Sequence, residues 1–331
     1  MTGAAIEVIR AGPMVTVQDA GRPGLLRYGI PASGPVDRLG HAAANVACGN
    51  EPGAAAVEVS AGGVELRPDV ALTFGFADAA LTVSDRAVST SWGAVTVAAG
   101  EVITARPVHG RRWGYLATTG ALRTTVWFGS SSTHVSSGLG GGVVATGDRF
   151  EVTNAHLRAD LDGPVADPRA DDGDRPVRVV LGPQEEAFVS GAVNELVSKP
   201  FAAGVGDRMG VRLDGPSLEP ADALTIPSEP VVRGSVQVAG DGVPTVLLAD
   251  HQTTGGYPKI ATVLTADCDV VAQRPVGAEV RFVAVDTVEA IAVARAEAVE
   301  RQRFLLGLAA PDRTLAQRLF SRNLQPGGEP Y

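Results

Sequence analysis

Apolar positions along this chain come in short runs separated by polar and glycine-rich breaks. In the first half, residues 8–9, 15–17, 57–59, 70–74, 95–97, 102–104 and 113–117 read as strands rich in valine. In the second half, 177–181, 236–238, 246–248, 260–264 and 280–283 read the same way. One early stretch changes period. Leu39, Ala42, Ala43, Val46 and Ala47 recur at helical spacing, with Asp37 placed to cap the helix and Gly49 to end it. Residues 185–198 predict a second helix, stopped by Pro200. Asp286 and Glu289 have capping-box spacing ahead of a helix over 288–308, and a last helix is expected over 313–320.

The breaks also suggest a domain plan. Residues 158–176 are rich in Asp and Pro and read as a linker between a β-rich domain over 1–157 and another over 177–285. A helical extension over 286–331 follows. The halves echo each other. Arg27-Tyr28-Gly29-Ile30 matches Arg208-Met209-Gly210-Val211, Val57-Glu58-Val59 matches Val236-Gln237-Val238, and Glu101-Val102 matches Glu279-Val280. The offsets are 181, 179 and 178 positions, which points to duplication.

Composition narrows the function. The 331 residues carry a net charge of -9, which argues against nucleic acid and against anionic membrane surfaces. Cys48 and Cys268 stand far apart, five histidines are scattered, and no metal-ligand spacing is present. The first residues lack a signal-peptide pattern, and no apolar stretch approaches the length that spans a bilayer, so a cytoplasmic location is expected. No GxxxxGK[ST] phosphate loop and no GxSxG nucleophile elbow occur.

The segments VQDAGRPGLLRYGIPASGPVD (17–37), FGSSSTHVSSGLGG (128–141), DRMGVRLDGP (207–216) and LLADHQTTGGYPKIATV (247–263) carry a resemblance. They resemble the family of C subunits of bacterial ATP-dependent 5-oxoprolinases, within the biotin-dependent carboxyltransferase-like proteins, formerly called allophanate hydrolase subunit 2. The likeness runs from about Ile6 to Ala294, and Gln252 to Lys259 is its most specific piece. It implies a mainly β fold: two cyclophilin-like β-barrels, a few helices and a C-terminal helical segment. It implies work in a heteromeric complex with a homologous barrel-type B subunit and a looser A subunit, opening the lactam of 5-oxoproline to L-glutamate with ATP. It does not say which component binds ATP. The chain departs from the family at Ser136, where a basic residue is common, at His251, and at Arg233.

The best candidate for chemistry is the run Asp250, His251, Gln252, Thr253, Thr254, Gly255, Gly256, Tyr257, Pro258, Lys259. Two glycines leave backbone N–H groups accessible, neutral side chains add hydrogen bonds, and Lys259 is one of only two lysines. A tight structural turn followed by a solvated lysine is the blander reading. Asp19, Arg22, Ser33 and Asp37 are candidates in the first half, with Asp37 favoured as a plain helix cap. Arg208 suits a substrate carboxylate or an ion pair with Asp207 or Asp214, and Gln237 is a candidate on a barrel strand. Lys199 sits at a predicted helix end, which disfavours Ser130–Ser132 as a Ser-Lys amidase.

Two rival functions remain. One is a carboxyltransferase-type component of a urea carboxylase-like complex, with biotin arriving on another protein because this chain has no biotin-carrier lysine motif. The other is a non-catalytic regulator that antagonises a kinase inhibitor built on the partner barrel.

Overall fold

The computed structural model describes residues 3–169, 175–221 and 226–309. In the first half, Ala4–Ala11 buries alternate residues, as expected of a strand with one face on a core. It lies in a seven-stranded sheet ordered Ala121–Arg123, Arg149–Thr153, Ala4–Ala11, Val64–Pro68, Ile103–Pro107, Ala79–Val83, Arg86–Ala87. A six-stranded sheet, ordered Gly163–Pro164, Gly93–Val97, Leu72–Ala77, Gly114–Thr118, Ala56–Val59, Thr16–Gln18, faces it across one core. Helix α1 (Arg38–Ala47) packs on the outer face of the second sheet. That face has to be bare at Gly75, where a Cβ would collide with the carbonyl of Ala44.

The second half is an eight-stranded sheet ordered Glu279–Val280, Phe201–Gly206, Gly210–Asp214, Pro244–Leu247, Ser235–Val238, Lys259–Val263, Val177–Leu181, Phe282–Ala284. Its two edge strands are separated only by Arg281, so the sheet curls until its edges meet. That is a near-closed barrel. Its core takes in Val36 and Trp113 from the first half, so the halves share buried surface. The fold is mainly β, as expected.

The sequence and the structure differ in specific places. Residues 185–198 are not one helix. A 3-10 turn, Glu185–Ala187, is separated from α2 (Ala192–Ser198) because Phe188 turns extended into the core and Gly191 adopts a left-handed φ of 100°. Helix α3 (Thr265–Gln273) has no counterpart in the sequence reading. The Asp/Pro-rich segment is more than a tether, since Gly163–Pro164 pairs with Gly93–Val97 and Arg169 is buried between Asp37 and Asp78. Of the echoed segments, 57–59 and 236–238 both lie in strands, whereas 26–28 form a 3-10 turn and Gly210–Asp214 a strand. Helix α4 (Thr287–Ala309) begins as expected, with the Glu289 N–H on Asp286. The helix expected at 313–320 lies outside the described residues.

Candidate functional site

The two halves meet along a strap of irregular chain, residues 31–36, that leads into α1. Three arginines hold its backbone. Arg22 donates from its own N–H to the Ala32 carbonyl at 2.8 Å and from Nη1 to that of Pro31 at 3.5 Å. Arg208 donates from Nη2 to the Gly34 carbonyl at 2.8 Å. Arg233 donates to the carbonyls of Pro35 at 3.0 Å and Val36 at 2.6 Å. Arg22 comes from the first half and the other two from the second, so the strap is a stitched seam.

Arg208 is only 1% exposed. It grips Asp250 bidentately, Nε and Nη2 each at 2.8 Å, and its Nη1 bonds Glu58. Glu58 in turn accepts from Tyr115 at 2.8 Å and from the Val36 N–H at 2.9 Å. Neither partner anticipated for Arg208 is used. Asp207 instead accepts its own turn's Met209 N–H, and Arg208 serves as a clamp between halves rather than a free carboxylate binder. Burial works against the Arg208 charge, but Glu58 and Asp250 outweigh it and raise its pKa. Asp37 caps α1 through Leu39 and Gly40, as expected.

Beyond Asp250 the chain bends away and returns at Lys259. Gln252 Nε2 donates to Gln237 Oε1 at 3.0 Å, and Gln237 Nε2 donates to the Tyr257 carbonyl at 3.1 Å. Gly255 keeps this pair in place, because a Cβ would stand 2.6 Å from Gln237 Nε2 and the amide would have to move aside. Thr254–Gly255 pairs with Glu229–Pro230, Thr253 accepts from Val231 at 3.2 Å, and Gly256 from Ile226 at 3.1 Å. Lys259 is 4% exposed, so it is not a solvated lysine. Its Nζ meets Glu229 at 3.1 Å, and Gln184 bridges the same carboxylate at 2.7 Å while accepting the Lys259 N–H at 2.9 Å. Gln237, Gln252, Gly255, Tyr257 and Lys259 are therefore brought together. Arg22, Ser33, Arg208 and Asp250 gather at the seam, at the other end of the same loop.

On the first-half side, Asp19 accepts from Ser130 at 2.6 Å, the Ser131 N–H at 2.6 Å and Ser132 at 2.7 Å. Burial would raise the Asp19 carboxyl, but these bonds hold it below the usual range. The serines are thus committed to structure, and nothing here resembles a Ser-Lys amidase. His251 donates from Nδ1 to the Gln252 carbonyl, 2.6 Å away. Burial lowers its pKa against that bond, and the charges of Arg233, Asp250 and His134 also reach it.

The model of the carboxyltransferase domain, subdomains A and B, matches residues 28–284, spanning most of the seam and the whole loop. The chain belongs to this family. This carboxyltransferase-domain protein is 32% identical over 310 residues to the 5-oxoprolinase C subunit of Escherichia coli K12, covering 92% of this chain and 97% of that one. It matches the crystal structure of TTHA0988 with a TM-score of 0.75 at 30% identity, over 84% of this chain but only 55% of that longer one. The K. lactis urea amidolyase shares the fold, with a TM-score of 0.79 at 22% identity over 91% of this chain and 20% of that one.

A large cavity of this family member lies elsewhere. About 1090 Å³ opens beneath α4, lined by Leu39, Val46, Val270, Phe304 and Leu305 among others, and by none of the candidate loop or seam residues. Its arginines Arg38, Arg169 and Arg175 already face Asp269, Asp37 and Asp267. The sequence reading missed Glu58, Tyr115, Gln184 and Glu229. Glu58 carried a signal, a charge between two valines in a strand with both faces buried. Among the described residues no helix is long and apolar enough to cross a membrane, and no group of three or more His, Cys, Asp or Glu is placed to hold a metal ion.

Proposed function

We propose that this chain is one component of a heteromeric ATP-dependent 5-oxoprolinase, with the Gln252–Lys259 loop meeting the lactam. The carrying observation is end-to-end similarity to a 5-oxoprolinase C subunit, joined to a loop on which Gln237, Gln252, Gly255, Tyr257 and a buried Lys259 converge. A lactam carbonyl is a poor electrophile. Phosphorylation of its oxygen by ATP, a co-substrate, lets water attack the carbon. ADP leaves at the phosphorylation, the ring C–N bond then breaks as the nitrogen takes a proton, and inorganic phosphate departs to leave the new carboxylate of glutamate. An ammonium has three hydrogens, and Glu229 takes one from Lys259, which leaves donors for the oxygen on which negative charge gathers. The Gln237–Gln252 pair presents amide donors and acceptors matched to a cyclic amide.

A protein with a homologous barrel, the B subunit, is the proposed close partner, with the A subunit more loosely held. The test is co-expression with these two proteins, followed by assay of glutamate formed from 5-oxoproline. Turnover that needs ATP and the assembled complex, and that avidin does not inhibit, supports the reading. The carboxyltransferase family match favours a second reading, transfer of carboxylate from biotin to a urea-like acceptor. Avidin-sensitive carboxylation without glutamate release would select that one instead. Stable assembly with neither activity would favour the regulator.

A further inference from the structure

Among the described residues, three buried polar atoms at the seam have no hydrogen-bond partner, Arg233 Nε and the neighbouring pair Arg22 Nε and Ser33 Oγ. Arg22 is 2% exposed and Ser33 9%. Their backbones run side by side, joined by the bond from the Arg22 N–H to the Ala32 carbonyl. Both stand at the foot of the largely exposed loop 23–30. Unpaired buried polar groups are costly, so their presence asks for a ligand. Arg22 differs from its neighbour Arg208 in charge balance. Arg208 is flanked closely by two carboxylates. The Arg22 guanidinium meets only carbonyls, those of Pro31 and Ser132. Asp19 is spent on the three serines and Gly21, and Asp250 on Arg208. Burial lowers the Arg22 pKa more than the charges of Asp19 and Asp250 restore it. This cation is under-compensated, and an anion would complete it.

We propose that Arg22 and Ser33 form a carboxylate subsite that binds the acid group of the substrate, while the amide end faces residues 252–257. The Nε–H and a remaining Nη–H make a side-on fork for two carboxylate oxygens, and the Ser33 hydroxyl adds a third donor. The backbone at Ser33 is left-handed, φ 52°, a conformation that glycine also adopts. This assignment rests on the lactam reading, and it moves the carboxylate from Arg208 to Arg22.

The test uses the full chain in the complex with which it co-purifies, and three probes: L-5-oxoproline, 2-pyrrolidone (the same ring without the acid) and inorganic phosphate. Dissociation constants are measured by calorimetry. Wild type should prefer 5-oxoproline over 2-pyrrolidone at least tenfold, the worth of one charge-assisted hydrogen bond. Arg22→Gln should erase the preference. Ser33→Gly, whose backbone accepts the same φ, should reduce it roughly threefold or more without harming the fold, and it decides the matter if Arg22→Gln does not fold. A preference that persists in both variants overturns the subsite and leaves the lactam reading standing. Weakening of phosphate binding alone overturns it as well, in favour of a nucleotide role for Arg22. Failure of wild type to bind either lactam removes both readings.

Discussion

At the scale of single residues, partner choice is what decides function here. Arg208 has acids close by in the sequence, at 207 and 214, yet its real partners are 42 and 150 positions away. Such a pairing is invisible until the chain folds. Removing the arginine would leave Glu58 and Asp250 buried without a counter-charge. Arg208→Met is therefore expected to cost about 3–5 kcal/mol in chemical denaturation. A loss below about 1 kcal/mol would mean that the clamp is not structural. The two lysines show the opposite case. Lys199 sits at the end of α2, as its sequence setting predicts, and is exposed, whereas Lys259 is buried at the head of a strand.

At the scale of elements, the strands and α1 were legible because their apolar positions repeat with the right period and Asp37 caps where a cap belongs. Helix α3 was not, for a physical reason. Seven of its nine residues, Asp267 to Gln273, are buried, so the contrast between two faces disappears. Its polar residues are buried because they pair: Asp267 with Arg178, Asp269 with Arg38 and Arg233, Gln273 with Asp37. The Gln252–Lys259 loop was legible as a unit, but its internal bonds were not, since Gln237 reaches it from a neighbouring strand. Those bonds make a prediction. A methyl at Gly255 must push the Gln237 amide aside and break its bond to Gln252. Losing about 1 kcal/mol of that preorganisation should lower kcat/KM roughly fivefold in Gly255→Ala, with little change in Tm. Unchanged kinetics would show that the pair does not touch the substrate.

At the scale of the whole molecule, the halves are bound by a buried charge network whose protonation matters. Asp37 and Asp78 share Arg169, at 2.7 Å each, and both accept from Gln273. Burial and the neighbouring Asp37 push Asp78 up to about 7 against the pull of Arg169. Asp37 is held at about 2, because Arg169 and the bonds from Gly40 and Gln273 overcome its burial. The signs are opposite. The raised Asp78 binds its proton more tightly in the folded chain, so its contribution is full below about 4 and is lost as pH rises toward about 7. The Asp37 contribution is full above about 4 and is lost as pH falls toward about 2. Asp78→Asn should therefore flatten the decline in stability between about pH 4 and 7 relative to wild type, seen as Tm across that range. Parallel wild-type and variant profiles would refute the raised Asp78 carboxyl as the cause.

The seam that joins the two halves belongs to neither alone, and the candidate loop hangs from it through Asp250. The most direct measurement is kcat/KM for ATP-dependent glutamate release by the purified complex, carrying either the wild-type chain or Lys259→Met. The methionine keeps the apolar stem, and Glu229 is half-exposed, so folding and assembly should be unaffected. Turnover by wild type is expected, with a loss of at least tenfold in the variant, the worth of one charge-assisted hydrogen bond. No turnover in the wild-type complex, or a near-wild-type rate in the variant, would contradict the assignment of this loop to the lactam.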